Sequence, residues 1–366
     1  MKRKMCVMAI AMLMTFPTGQ PAGAAPSALQ SPSENVAADI VQGAWLMYRH
    51  TFVSEDGRVI DNRNGEISHS EGQGYGMLMA VAADDRRSFD SMWRWTQSNL
   101  MVREDGLMAW RWDPAQTPHV QDRNNATDGD LLVAWALQRA GDLWQEPSYQ
   151  AEAIKIARSI GTAATVDTPY GKVLLPGAAG FRTEEQPDGP VVNLAYWIFP
   201  AIEDLGRLTA DFPADALIET GLKLLREARF GPAQLPADWI SLKATPPAPA
   251  EAFVPQFGYD AIRVPLYLSW FSRDYPDILQ TFADEWKTSP DDAPAAVELN
   301  TAARISPMSD PGYRAIVQVV RCSIDNRLSS HGIENFEPTD YYPSTLHILS
   351  LMAISERYPS CLTETN

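Results

Sequence analysis

The chain has 366 residues, 21% of them charged, and a formal net charge of −16. An acidic balance of that size argues against nucleic acid and anionic membranes as partners, since both would be repelled; a neutral or cationic polymer fits. Five scattered histidines and three cysteines offer no metal-ligand spacing, so neither a metal nor another cofactor is expected.

The first feature along the chain is Lys-Arg-Lys at 2–4, followed by an almost wholly apolar run at 5–16 and then Ala22-Gly23-Ala24. This is the pattern of a removable export signal over 1–24, and its apolar part is too short for a permanent span. A secreted or periplasmic protein without stable membrane insertion is expected, with one domain over 25–366. Cys322 and Cys361 would remain in the mature chain. A single disulfide and two buried thiols are equally good readings of them.

Helical spacing of apolar residues then dominates. It runs through Ile40, Ala44, Met47 and Tyr48, through Phe89, Met92, Trp93 and Thr96, and through Ala153, Ile156, Ala157 and Ile160. It returns at Leu194 to Leu205, Leu217 to Ala228, Tyr275 to Trp286, Tyr313 to Leu328 and Tyr342 to Arg357. The period is 3.6 rather than 2, so an all-α domain of eleven or twelve helices is expected. Segments dense in Pro, Gly, Asp and Asn at 167–190 and 231–258 read as long loops, with a short hairpin near Lys172 to Leu175. Alternating short and long connections suggest helical hairpins in a ring, with the long loops and the active surface at one end.

Three acidic elements carry the chemistry. Ser70-Glu71-Gly72-Gln73-Gly74-Tyr75-Gly76 opens an apolar helix; its glycines would let the backbone turn and a substrate approach, or the stretch is only a glycine-rich helix start. Asn125-Ala126-Thr127-Asp128-Gly129-Asp130 has capping-box form, with Thr127 as N-cap. Asp128 is the better candidate for a substrate contact there, and Asp130 for a structural role. In Tyr259-Asp260-Ala261-Ile262-Arg263, the i,i+3 pair is either a surface ion pair of little weight or a carboxylate held charged and aimed by Arg263.

Trp110, Trp112, Tyr196 and Trp197 lie between these elements. Flat rings near carboxylates suit the faces of pyranose sugars, although most of the eleven tryptophans should be core, and an extended Trp110-Arg111-Trp112 sends at most one of its indoles to a given surface. Carboxyl groups with aromatic platforms are the equipment of a glycoside hydrolase. No nucleophile elbow, zinc-protease motif or phosphate loop is present. Asn125-Ala126-Thr127 matches a glycosylation sequon, but a glycan there would crowd the cleft.

Together, Ser70 to Met77, Ala126 to Asp130 and Tyr259 to Pro265 resemble the S-E-G-Q-G-Y-G-M, A-T-D-G-D and Y-D-x-x-R-V-P motifs of glycoside hydrolase family 8, in the same order; Val133 departs from the usual Ile or Met. The resemblance implies an (α/α)6 barrel and hydrolysis of β-1,4-glycosidic bonds with inversion. It makes Glu71 the general acid, Asp260 the general base and Asp128 the group that holds the distorted sugar, with Trp110, Tyr196, Tyr259 and Arg263 at the substrate. Inversion requires acid and base roughly 6.5–9.5 Å apart. Burial beside apolar groups would keep Glu71 protonated, while Asp260 beside Arg263 would stay charged. Within the family the chain looks similar to the endoglucanases that accompany bacterial cellulose synthase, which makes a β-1,4-glucan the expected substrate and a synthase complex an expected associate. Chitosanase, xylanase and mixed-linkage glucanase are the alternatives on the same fold, and a non-catalytic polysaccharide-binding protein is a further one.

Overall fold

The structure is a computed structural model that describes residues 32–289, 293–328 and 332–363; the expected export signal at 1–24 lies outside them. Twelve α-helices are found among the described residues: α1 (Pro32–Phe52), α2 (Ser70–Ala82), α3 (Arg86–Asn99), α4 (Thr127–Leu143), α5 (Pro147–Ala163), α6 (Phe199–Leu208), α7 (Ala214–Glu227), α8 (Arg263–Phe271), α9 (Pro276–Lys287), α10 (Pro311–Asp325), α11 (Tyr341–Arg357) and α12 (Ser360–Thr363). Helix α2 packs on α4, α4 on α6, α6 on α8, α8 on both α10 and α11, and α11 back on α2. That closes an inner ring, and the fold is an (α/α)6 barrel.

Residue composition separates the two layers. Along α2, α4, α8 and α11 nearly every position is buried, polar ones such as Gln73, Thr345 and His347 included. A helix that is apolar all round belongs in a core. The outer helices are amphipathic: α5 buries Ala153, Ile156, Ala157 and Ile160, and α9 buries Ile278, Leu279, Phe282, Ala283 and Trp286. In α1 the inward line is Val41, Ala44, Trp45, Tyr48 and Phe52, whereas Met47 is exposed, so the expected stripe is rotated by part of a turn. Leu194 to Tyr196 forms a 3-10 turn, and α6 starts only at Phe199 with Pro200 in its first turn, where the missing N–H costs nothing.

Short connections at 83–85, 144–146, 209–213 and 272–275 join an inner helix to the next outer one. Long connections lead from outer helices to the starts of the following inner helices at 100–126, 164–198 and 228–262. The N-termini of the inner helices therefore face one end, the end that carries the long loops. Within the loops lie two-stranded pairs β1 (Ser68–His69) with β2 (Arg111–Trp112) and β3 (Thr165–Thr168) with β4 (Gly171–Leu174). Two three-stranded antiparallel sheets follow: β5 (Val191–Val192), β6 (Ile240–Ser241) and β7 (Ala248–Pro249), and β8 (Gln256–Phe257), β9 (Ala295–Glu298) and β10 (Ala303–Pro307). The β3–β4 hairpin includes the expected Lys172 segment; the two sheets brace segments that read as plain loop in the sequence. Cys322 of α10 and Cys361 of α12 form a disulfide, which resolves their open pairing.

Candidate active site

The long-loop end gathers the three acidic elements on one side chain. Arg263, buried at the start of α8, donates from Nη1 to Glu71 Oε1 and, at 3.2 Å, to Asp128 Oδ2; its Nη2 donates to Asp260 Oδ1 at 2.9 Å. A planar, always charged fork with its donors fixed in place serves the three carboxyls at once. Glu71 sits in the first turn of α2, Asp128 in the first turn of α4, and Asp260 three residues before Arg263, so the ring geometry brings distant segments together. The Asp260–Arg263 pair is not a surface ion pair: Arg263 is 3% exposed, although Asp260 keeps one side open.

Each carboxyl has its own surroundings. Tyr75, one turn after Glu71, donates to Glu71 Oε1 at 3.0 Å and shares a 2.6 Å hydrogen bond with Tyr267. Oε2 of Glu71 lies 3.8 Å from His69 Nδ1, and that nitrogen already accepts from Gly72 N at 3.0 Å as the N-cap of α2. Glu71 is thus set among polar donors, not beside the apolar groups expected from the sequence. Asp128 is 3% exposed, and its Oδ1 accepts from Gly129 N at 2.8 Å. Burial pushes its carboxyl up to about 7. Asp260 is also pushed up to about 7, chiefly by burial and further by Asp238 and Asp128. This corrects the expectation that Asp260 beside Arg263 stays charged. One guanidinium faces three crowded carboxyls, and burial holds both Asp128 and Asp260 well above the ordinary carboxylate range. With 34% of its side chain exposed, against 18% for Glu71, Asp260 is the most open of the three.

The α4 start departs from the capping box. Ala126 is the N-cap and makes no side-chain cap; Asp130 instead accepts from Met108 N at 2.8 Å and Asn125 Nδ2 at 2.8 Å. Asp130 is a wholly buried clamp on the 100–126 loop. Asn125 is 3% exposed with its amide nitrogen spent in that bond, which closes the sequon to a glycan. The glycines of α2 also differ from expectation. All three are buried within the helix, and a Cβ at Gly74 would stand 2.5 Å from Leu132 Cβ, while one at Gly129 would stand 2.1 Å from Ser70 Oγ. Gly74 and Gly129 allow α2 and α4 to touch, while Gly72 makes room for Tyr341 and Gly76 for Met92 and Val59; the three glycines of α2 serve packing rather than the approach of a substrate.

Aromatic groups line the approach. Trp110 is half-buried, donates to Asp122 Oδ2 at 2.9 Å, and its carbonyl accepts from Ser70 N at 3.0 Å, which fixes it beside Glu71. Trp112 turns the other way onto Trp95, as alternation requires. The Tyr196 ring lies 5.8 Å from the Arg263 guanidinium and 6.4 Å from Trp239, whereas Trp197 is core, 1% exposed. Tyr259 is 44% exposed, and its carbonyl accepts from Tyr342 at 2.6 Å. Tyr75 could have been found from its i+4 spacing to Glu71. Asp238, Tyr267 and Tyr342 carry no sequence signal toward the site, because only the folded ring brings them to it. A cavity of about 950 Å³ lies at the opposite end of the ring, but its Asp204 and Glu356 are engaged by the indoles of Trp135 and Trp270. It offers no free acid. No metal-ligating cluster occurs among the described residues, and no helix among them is long and apolar enough to cross a membrane.

The family model for glycosyl hydrolases family 8 matches residues 22–356. A probable endoglucanase from Novacetimonas hansenii is 38% identical over 323 residues, covering 87% of this chain and 92% of that one. An endoglucanase from Cellulomonas uda is 40% identical over 230 residues, 63% of each chain. Among solved structures, the endo-beta-1,4-glucanase CMCax from Acetobacter xylinum superposes with a TM-score of 0.80 at 39% identity, over 87% of this chain and 99% of that one.

Proposed function

Because the chain belongs to glycosyl hydrolase family 8, an inverting glycoside hydrolase family, we propose that it is an endo-β-1,4-glucanase in which Glu71, Asp260 and Asp128 do the chemistry on internal bonds of cellulose or its soluble derivatives. One observation carries the assignment of residues: three carboxyls from three separate helix starts meet on the Arg263 guanidinium, beside Trp110, Tyr196 and Tyr259. Glu71 is the general acid. Its Oε1 takes the donors of Arg263 and Tyr75, which leaves Oε2 to carry the proton that passes to the leaving oxygen as the glycosidic bond breaks. Asp260 is the general base, since its open face admits a water whose proton it accepts as that water attacks the anomeric carbon from the other side of the ring. Asp128 holds the distorted sugar through the lone pairs that Gly129 N and Arg263 leave unused. Arg263 holds the acid and the base in one cluster.

We place this activity in an exported enzyme that works next to a cellulose synthase complex; the likeness to a probable endoglucanase of Novacetimonas hansenii supports the endoglucanase part of that reading. Reducing-sugar release from carboxymethyl cellulose, run beside chitosan, xylan and mixed-linkage glucan, tests the polymer. In the same assay Glu71→Gln and Asp260→Asn are each expected to lose at least about 10²-fold in kcat while still binding cello-oligosaccharides. NMR of the first-formed anomer should show inversion; retained configuration, or wild-type turnover by either variant, overturns the assignment.

A further inference from the structure

We infer that Asp238 is a positioning residue for the reaction, tying the turn at 256–261 to a buried carboxylate so that Asp260 faces the reacting centre. This rests on the reading of Asp260 as general base. Asp238 is 5% exposed, and its Oδ1 accepts from Gly258 N and from Ala261 N, both at 2.9 Å. Oδ2 accepts from Gln256 Nε2 at 3.1 Å, and Asp238 N donates to Gln256 O at 2.8 Å. These four bonds close a short stretch of chain, with Asp260 inside it. Gly258 belongs to the same device: a Cβ there would stand 2.4 Å from Asp238 Oδ2 and 2.7 Å from Gln256 Nε2, so any side chain at 258 prises the clamp open.

The clamp also sets the charge that Asp260 meets. Asp260 faces Arg263 at 2.9 Å, Asp128 and Asp238 as carboxyl neighbours, and Asn193 from the segment before α6. The phenols of Tyr196 and Tyr342 lie near enough to feel its charge, and Glu71 reaches it through the shared guanidinium. Of these, Asp238 is the carboxylate held by the backbone of the turn itself, the N–H of Asp260 included. It acts through backbone geometry and through repulsion, which adds to burial in raising Asp260. A base raised toward working pH is a better proton acceptor.

The test is the isosteric Asp238→Asn, assayed on carboxymethyl cellulose across pH. We expect kcat to fall by about tenfold or more with KM within about twofold, the pattern of a lost transition-state interaction. The acidic limb of the kcat/KM profile should move to lower pH, because the repelling charge is gone, and Asp238→Glu should restore the limb. Gly258→Ala keeps the charge but displaces the clamp, so it should lower kcat without moving the limb. Wild-type kcat and an unmoved limb in Asp238→Asn overturn the proposal; so does wild-type kcat in Gly258→Ala, which decides alone should Asp238→Asn not fold. Asp260→Asn is run in parallel. Turnover retained there removes the base assignment itself, whereas an inactive Asp260→Asn beside an unaltered Asp238→Asn removes only the role given to Asp238.

Discussion

Arg263 places one delocalised charge against three carboxyls, and its own side chain is 3% exposed. Removing one partner from a buried charge network leaves the rest uncompensated, at a cost of about 3–5 kcal/mol. Lysine keeps the charge but is a compact point donor that cannot span Glu71, Asp128 and Asp260 together. Arg263→Lys is therefore expected to fold with a lowered melting temperature and to lose about 10²-fold in kcat, since misplacing reacting groups by about an ångström costs that much. Steady-state kinetics with a thermal melt checks both halves. A lysine variant with full activity would show that the three carboxyls do not depend on a shared fork.

At the scale of elements, the contact of α2 with α4 sets where Glu71 and Asp128 lie, and its closest points are Gly74 against Leu132 and Gly129 against Ser70. A Cβ at Gly129 would press on Ser70 Oγ at 2.1 Å and Glu71 N at 2.7 Å. Because backbone as well as side chain stands in the way, α2 has to shift. Gly129→Ala is expected to destabilise by about 1–3 kcal/mol and to lower kcat, whereas Gly74→Ala, which meets Leu132 deeper in the barrel, should destabilise with a smaller loss of rate. Denaturant melts and kinetics on the pair separate packing from positioning. The outer helices were readable in advance because one face is wet: Phe89, Met92, Trp93 and Thr96 of α3 are buried as their spacing predicts. The inner helices blur that period, since both of their faces are covered. The three carboxyls could be picked out because each interrupts an apolar or glycine-rich stretch, but their meeting on Arg263 could not, because Glu71 and Arg263 are 192 positions apart. The glycines do open a helix, as one of their two readings has it, but the partner each one meets is hidden for a similar reason: a close approach needs both helices to be seen.

For the molecule as a whole, 46 acidic residues against 30 basic ones mean that stability depends on where the carboxyls titrate. Asp130 offers a clean measure, because it is wholly buried and lies in the clamp on the 100–126 loop rather than in the reaction. Burial pushes its carboxyl up from 3.8 to about 7, so between those values the folded state holds a proton that the unfolded chain has released. Stability then falls as pH rises through that window. Below about pH 4 both states are protonated and the penalty is absent; above about pH 7 it is complete, at most about 4 kcal/mol for a shift of this size. Asp130→Asn removes the titration. It also sets two amide groups face to face at Asn125, a cost that does not vary with pH, so the mutant can be less stable than the wild type at pH 4. The readout is the difference between the two proteins across pH. Urea melts should show the variant gaining on the wild type from about pH 4 to about pH 7 and then running parallel to it. A difference that stays constant over that range would mean that Asp130 titrates alike in the folded and unfolded chain, and that its burial carries no electrostatic penalty.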